Sequence, residues 1–301
     1  MDELIRTAAF QWVEKQVNIH GGFVPRKLLD QGFEFQGKRI TLTGPQGIWK
    51  PAFMELPLSI YTRPDGPYPD FIMDDGFLVY RYRGTDPNHS DNVGLRTAMH
   101  RRIPLVYFYR VEKGKCLAEW PVYIEEDHPE DLAFVVSIGA HNVVYNEQDL
   151  QQGQLFLETE DQLYRRYITT EAIHRLHQDE FRVRVLSAYK EQCAFCRLRY
   201  QQLLDAAHII PDGEKGGEPI VPNGLSLCKI HHAAFDNNIV GLNPDYKIIV
   251  REDILEEIDG PMLKYGFQEM HNKEIFLPTS LNEWPDRQKL EFRFKKFKEA
   301  G

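Results

Sequence analysis

The chain is poor in cysteine. It has four in 301 residues, at Cys116, Cys193, Cys196 and Cys228. Three fall in one short region, which argues for a metal site and against a disulfide framework. Long apolar runs are missing too. A helix that spans a bilayer needs about 20 such residues, and none approaches that length, so no membrane partner is expected. There is no leader-like segment at the start. "MDELIRTAAFQWVEKQV" carries acids and a helical apolar rhythm at Leu4, Ala8, Phe10, Val13 and Val17, the mark of an amphipathic helix. A cytoplasmic location is the expectation. No internal repeat and no low-complexity tract is present. "GPQGIWKP" at 44–51 is not a phosphate loop, because no Gly-Lys-Ser/Thr follows it.

A basic surplus is also lacking. The 36 Lys and Arg are outnumbered by 45 Asp and Glu, for a net charge of −9. This counts against a general nucleic-acid binder, which usually shows a basic surplus. Bases do gather locally, at Arg96, Arg101, Arg102 and Arg110, between Arg182 and Arg199, and in the terminal "RQKLEFRFKKFK". Local basic faces on an acidic protein still hold phosphate.

What is present divides in two. The first half reads as strands and turns: "FEFQGKRITLT" around a Gly-Lys turn, then "GFLVYRYRGT", "IPLVYFYRVEKGK", "LAEWPVYI" and "LAFVVSIG". These runs are aromatic and β-branched. "DNVGLRTAMHRR" is the helix expected among them. From about Gln148 the chain turns polar and Gln-rich, and leads into a helix ending near Tyr189 or Lys190. The expectation is an α+β protein of two domains, 1–160 and 161–301. The lone Cys116 is expected to be a small buried residue.

The second half holds "CAFCRLRYQQLLDAAHIIPDGEKGGEPIVPNGLSLCKIHHAAFD". Cys193 and Cys196 form one close pair; Cys228 and His231 form another. Two such pairs separated by a loop suit a tetrahedral zinc ion that staples two chain segments. A closed four-ligand site leaves no position for substrate, so any chemistry lies elsewhere. Asp205, His208, Asn223, His232 and Asp236 remain. "LLDAAHII" reads as a strand, "LSL" as a second, and "KIHHAAFDNN" as a helix on which His232 and Asp236 share a face.

On these residues the stretch resembles the HNH nucleases of the ββα-metal fold. "AAHIIP" is similar to the family's first histidine motif, "NGLSLC" to its asparagine, and "HHAAFD" to its closing histidine and helix. The resemblance implies phosphodiester hydrolysis, with His208 as general base, Asn223 as scaffold for the His208 segment, and His232 as ligand of a catalytic divalent ion. Asp205 and Asp236 would add oxygen ligands suited to Mg²⁺ or Mn²⁺. Ala207 departs from the pattern, since many members carry a metal-binding residue there.

The stretch from Gly66 to Arg110 resembles, more loosely, the SRA (YDG) domains, which flip modified cytosine from duplex DNA. "YPD", "DDG" and "YRG" carry that likeness. It implies an SRA/PUA-like first domain in which Tyr68 and Tyr82 stack on the flipped base, Asp70 reads its edge, and Arg81, Arg83 and Arg96 hold phosphates. The combined expectation is a modification-dependent restriction endonuclease acting on double-stranded DNA, as a homodimer or by sequential nicks. Three alternatives stay open: an HNH nuclease for unmodified DNA, such as a restriction enzyme or toxin; a catalytically silent zinc module that binds nucleic acid; and a first domain that binds a protein or small molecule.

Overall fold

The computed structural model describes residues 1–63, 71–72, 77–138 and 157–300. The chain divides into two compact units, Met1–Leu176 and His177–Gly301, where the sequence analysis drew the line at 160/161.

The first unit opens with α1 (Asp2–Ile19). Its buried face is Ile5, Ala9 and Val13, one residue out of step with part of the expected stripe, and Leu4 is exposed. Arg6 sets that register. Its guanidinium is buried and donates to the carbonyls of Pro104 and Leu56, at 3.0 and 3.2 Å. Next come β1 (Val24–Pro25), α2 (Arg26–Gln31), β2 (Phe33–Phe35) and β3 (Lys38–Ile40). The last two form a hairpin whose turn residues, Gln36 and Gly37, have φ of 49° and 73°. Positive φ at both central positions matches the twist of the flanking strands, so the turn sits one residue before the Gly-Lys step expected.

The remaining strands are β4 (Ile48–Trp49), β5 (Ser59–Thr62), β6 (Phe71–Ile72), β7 (Leu78–Arg81), β8 (Leu105–Glu112), β9 (Lys115–His128) and β10 (Ala133–Ile138), with α3 (Ser90–His100) between β7 and β8. They build one eight-stranded sheet in the order β4-β5-β8-β9-β10-β7-β6, with β1 added on β9. Only the β5–β8 pair is parallel among them. Every side chain of β10 is buried, which explains why "AFVVSI" shows no polar alternation. Ile5, Ala9, Val13, Leu29, Val106 and Phe108 belong to one core, and Cys116 joins it as a fully buried residue.

The helix α4 (Leu157–Ala188) leads into the second unit. There β11 (Leu204–His208) pairs antiparallel with β12 (Gly224–Cys228), and α5 (Lys229–Asp236) follows directly and packs on both. A second ribbon, β13 (Val240–Leu242) with β14 (Ile248–Val250), then α6 (Glu252–Glu256), α7 (Pro261–Gly266) and α8 (Arg287–Ala300), complete it. The basic terminal helix is held close to β13 because Gly241 has no side chain; a Cβ there would stand 2.6 Å from the Phe297 ring. No helix among the described residues is long and apolar enough to cross a membrane.

Candidate active site and metal centre

The two Cys/His pairs converge. The ligand atoms of Cys193, Cys196, Cys228 and His231 all lie within 4.8 Å of one another. His231 Nδ1 stands 3.6 Å from Cys193 Sγ and 3.1 Å from Cys228 Sγ, and the Cys196 and Cys228 sulfurs are 4.0 Å apart. Tetrahedral sulfurs around a zinc ion with Zn–S of about 2.3 Å would be about 3.8 Å apart. The first pair is shaped by backbone: Cys193 N–H donates to Leu198 O, Arg197 N–H returns to Cys193 O, and Arg197 takes φ of 63°. The His231 Nε2 lies 2.8 Å from Gly266 O. That bond needs the proton on Nε2 and leaves Nδ1 free to ligate. Such clustered sulfurs and imidazole call for a cation.

Beside this centre lies the ββα unit. Register places His208 opposite Gly224 and Asp205 opposite Leu227. The His208 ring lies on Phe181 of α4, with centroids 4.2 Å apart and planes 21° from parallel. Its Nε2 is buried and, among the described residues, has no hydrogen-bond partner. Burial holds the His208 pKa below the ordinary imidazole value, and the charge of Asp212 works against that, as does Asp236. His232 also acts electrostatically on His208. The two histidines therefore share one neighbourhood.

His232 is bracketed by carboxylates. Its Nδ1 is 3.9 Å from Asp205 Oδ2, and its Nε2 is 3.2 Å from Asp236 Oδ2. Asp205 is the main reason its pKa rises, and His232 in turn lowers that of Asp205. Asp205 also faces Arg182, whose Nε is 3.4 Å from Oδ1. Asp205, His232 and Asp236 are not among the groups of described residues whose ligand atoms all fall within 4.8 Å. The two carboxylates approach opposite nitrogens of one ring, so the expected three-residue ligand set does not close on a single point.

Asn223 is fully buried, at 0% exposure. Its side-chain oxygen accepts from Ile210 N–H at 3.0 Å, and its amide donates to Ile210 O at 3.0 Å and Glu218 O at 3.2 Å. It clamps the ends of the 211–217 loop. Its side chain bonds Ile210, two residues beyond His208, and not His208 itself. Three participants escaped the sequence reading. Phe181 lies under His208, Asp212 supplies charge, and Gly224 makes room. A Cβ on Gly224 would stand 2.4 Å from Val185 Cγ2 and 2.8 Å from Phe181 Cζ. The spacing of Phe181, Val185 and Tyr189 on one helix face was the available signal.

In the first unit, Tyr68 and Asp70 lie outside the described residues. Tyr82 is 3% exposed, packs on the Phe134 ring with centroids 4.6 Å apart, and donates its hydroxyl to Asp127. Tyr82, expected to stack on a flipped base, thus has its ring and hydroxyl engaged by Phe134 and Asp127. Arg96 pairs with the same Asp127 and donates to the Tyr82 hydroxyl at 3.0 Å. Arg83 pairs with Asp91, and Arg81 donates to Asp131 O at 2.8 Å. These three arginines hold β7, α3 and the turn after β9, where phosphate contacts had been expected. Trp49 donates its indole N–H to Thr41 O at 3.0 Å, packed over Gly44.

Residues 193–243 match the family model described as HNH endonuclease. The matched segment runs from the first knuckle cysteine to just past β13 and is similar to an HNH endonuclease domain. Among solved structures, a modification-dependent TagI restriction endonuclease is similar at 14% identity and a TM-score of 0.29, over 80% of this chain and 81% of that one. No curated protein matches the chain.

Proposed function

We propose that this HNH nuclease hydrolyses phosphodiester bonds of double-stranded DNA, with His208 as general base and a divalent ion at His232. The observation that carries the reading is the buried, unpartnered Nε2 of His208, in electrostatic reach of His232 and Asp236. An orphaned polar atom in a site is an atom waiting for a partner. His232 Nε2 and Asp236 Oδ2 offer one nitrogen and one oxygen side by side. They fit an ion such as Mg²⁺ or Mn²⁺, which takes one or two protein ligands and fills its other positions from water and phosphate. When bound, the ion supplies charge neutralisation at the scissile phosphate and the leaving oxygen.

The protein's own residues do the rest. Burial keeps the His208 imidazole neutral near pH 7, so it accepts a proton from the attacking water. Asp212 and Asp236 favour the imidazolium that results. Asn223 fixes the loop that follows His208. The Cys193, Cys196, Cys228 and His231 set holds zinc and fastens the ribbon to α5, a structural role. The first unit, Met1–Leu176, selects the DNA, by our reading through a modified base. That reading rests on the sequence likeness of 66–110, within which Tyr82 is buried and Arg81, Arg83 and Arg96 bond to groups of the same unit.

The test is nicking of supercoiled plasmid in Mg²⁺, Mn²⁺ or chelator, with plain and cytosine-modified substrates. His208→Ala is expected to bind DNA and retain zinc but to lose cleavage by ~10²–10⁴-fold. Wild-type cutting by that variant would remove His208 from the reaction. Equal cutting of plain and modified plasmid would remove the modification from the substrate.

A further inference from the structure

We infer that two consecutive residues of α4, Phe181 and Arg182, are positioning residues for the two site histidines, and that Asp205 orients His232 without binding the ion. The inference rests on the nuclease reading above and extends it to residues outside the matched segment. Phe181 is 2% exposed and lies face to face with His208 at 4.2 Å between centroids. Gly224, opposite His208 on the ribbon, leaves the space in which that ring fits. Among the described residues, Nε2 of His208 has no hydrogen-bond partner to fix the ring plane. The stacked Phe181 ring restrains that plane.

Arg182 works one step further out. Its Nη2 donates to Leu204 O at 2.8 Å and Gln201 O at 3.2 Å, while Nε faces Asp205 Oδ1 at 3.4 Å. A planar guanidinium anchored on two backbone carbonyls steadies the carboxylate it touches. The other oxygen of Asp205 faces His232 Nδ1 at 3.9 Å. A neutral imidazole carries one proton and one lone pair. The 3.9 Å to Asp205 is a charge contact, longer than a direct hydrogen bond; the carboxylate's charge favours the ring proton on Nδ1, which leaves the lone pair on Nε2, the nitrogen beside Asp236. The order is therefore Arg182, Asp205, His232, then the ion with Asp236. An outer carboxylate of this kind steadies a ligating histidine, and losing it typically weakens metal binding 10–100-fold.

The two positioning residues make different forecasts. Mn²⁺ binding to the full-length, zinc-loaded protein is measured by titration calorimetry, and nicking gives kcat and KM. Arg182→Gln is expected to weaken Mn²⁺ binding about tenfold or more and to be partly rescued by Arg182→Lys. Phe181→Leu is expected to leave Mn²⁺ binding unchanged, lower kcat at least tenfold, leave KM in place, and be rescued by Phe181→Tyr. Zinc content and melting temperature serve as the folding control. Unchanged Mn²⁺ binding in Arg182→Gln overturns the Arg182 arm. Wild-type kcat in Phe181→Leu overturns the Phe181 arm, and so does a loss of kcat that merely follows a loss of fold in both Phe181 variants. If the wild type does not nick, the nuclease reading fails, yet the Mn²⁺ isotherms still decide whether Arg182 steadies a metal ligand.

Discussion

Replacing Gly224 with alanine adds one methyl group at the most crowded point behind the site. Gly224 has φ of −129° and ψ of 146°, which any residue adopts, so backbone strain plays no part. The added Cβ would stand 2.4 Å from Val185 Cγ2, 2.8 Å from Phe181 Cζ and 3.1 Å from Phe181 Cε2. Carbon atoms in contact sit about 3.5–4.0 Å apart, so α4 or the ribbon must recede by roughly 1 Å. Overpacking of this kind costs about 1–3 kcal/mol. For a domain of about 100 residues each kcal/mol is about 4–8 °C of melting temperature, so a fall of roughly 5–20 °C is expected. Phe181 carries His208, and a 1 Å misplacement of a catalytic group costs on the order of 10²-fold in rate. Calorimetry and plasmid nicking read the two effects. Val185→Ala removes the nearest obstacle, so the double variant should be more stable than the sum of the single changes by about 1 kcal/mol or more. If Gly224→Ala melts and cuts like the wild type, the helix does not press on the ribbon here, and the packing argument for His208 is wrong.

Three further outcomes are expected. Stripping the metal from the Cys193, Cys196, Cys228 and His231 centre, or replacing Cys228 with serine, should unfold the second unit, since zinc binding in such sites is worth about 10–16 kcal/mol of folding energy; metal analysis with circular dichroism checks it, and an unchanged fold without zinc contradicts it. The pH profile of nicking should hold its rate below the ordinary imidazole pKa of about 6.5. The reason is the sign of the His208 shift: burial lowers its pKa, so the neutral base survives to more acid pH and activity is lost only as pH falls through the lowered value; an acid limb at or above pH 6.5 speaks against His208 as the base. Tyr82→Phe removes the hydroxyl shared by Asp127 and Arg96 and should lower stability by about 1–3 kcal/mol, with equal effect on binding to plain and modified duplex. A loss confined to modified duplex would return Tyr82 to a base pocket.

Much of the site was legible because zinc knuckles and ββα units are short-range constructions. The spacing of Cys193, Cys196, Cys228 and His231, and the i,i+4 relation of His232 to Asp236, are set within a few residues of chain. The element types followed for the same reason: β7, β8, β10, α3 and α5 each sit in the run that suggested them. Other readings failed where a distant partner decides. "YRYRG" offered a tyrosine and two arginines that looked ready for DNA, but Asp127 of β9 and Asp91 of α3 engage Tyr82 and Arg83. Nothing near residue 82 in the chain announces a carboxylate at 127. The α1 stripe slipped for a like reason, since Arg6 is drawn inward by carbonyls at 56 and 104.

The linear order of residues by itself determined which cysteines and histidine could gather into a metal-binding cluster and where strands and helices alternate, because local spacing and backbone propensity suffice for those. Only the tertiary structure decided that Phe181 supports His208, that Arg182 and Asp205 stand behind His232, that Gly224 is required for space instead of a turn, and that Tyr82 and Arg96 are spoken for. Each of these depends on which surfaces the folded chain brings within about 4 Å, and contacts between residues far apart in sequence leave no periodicity to read.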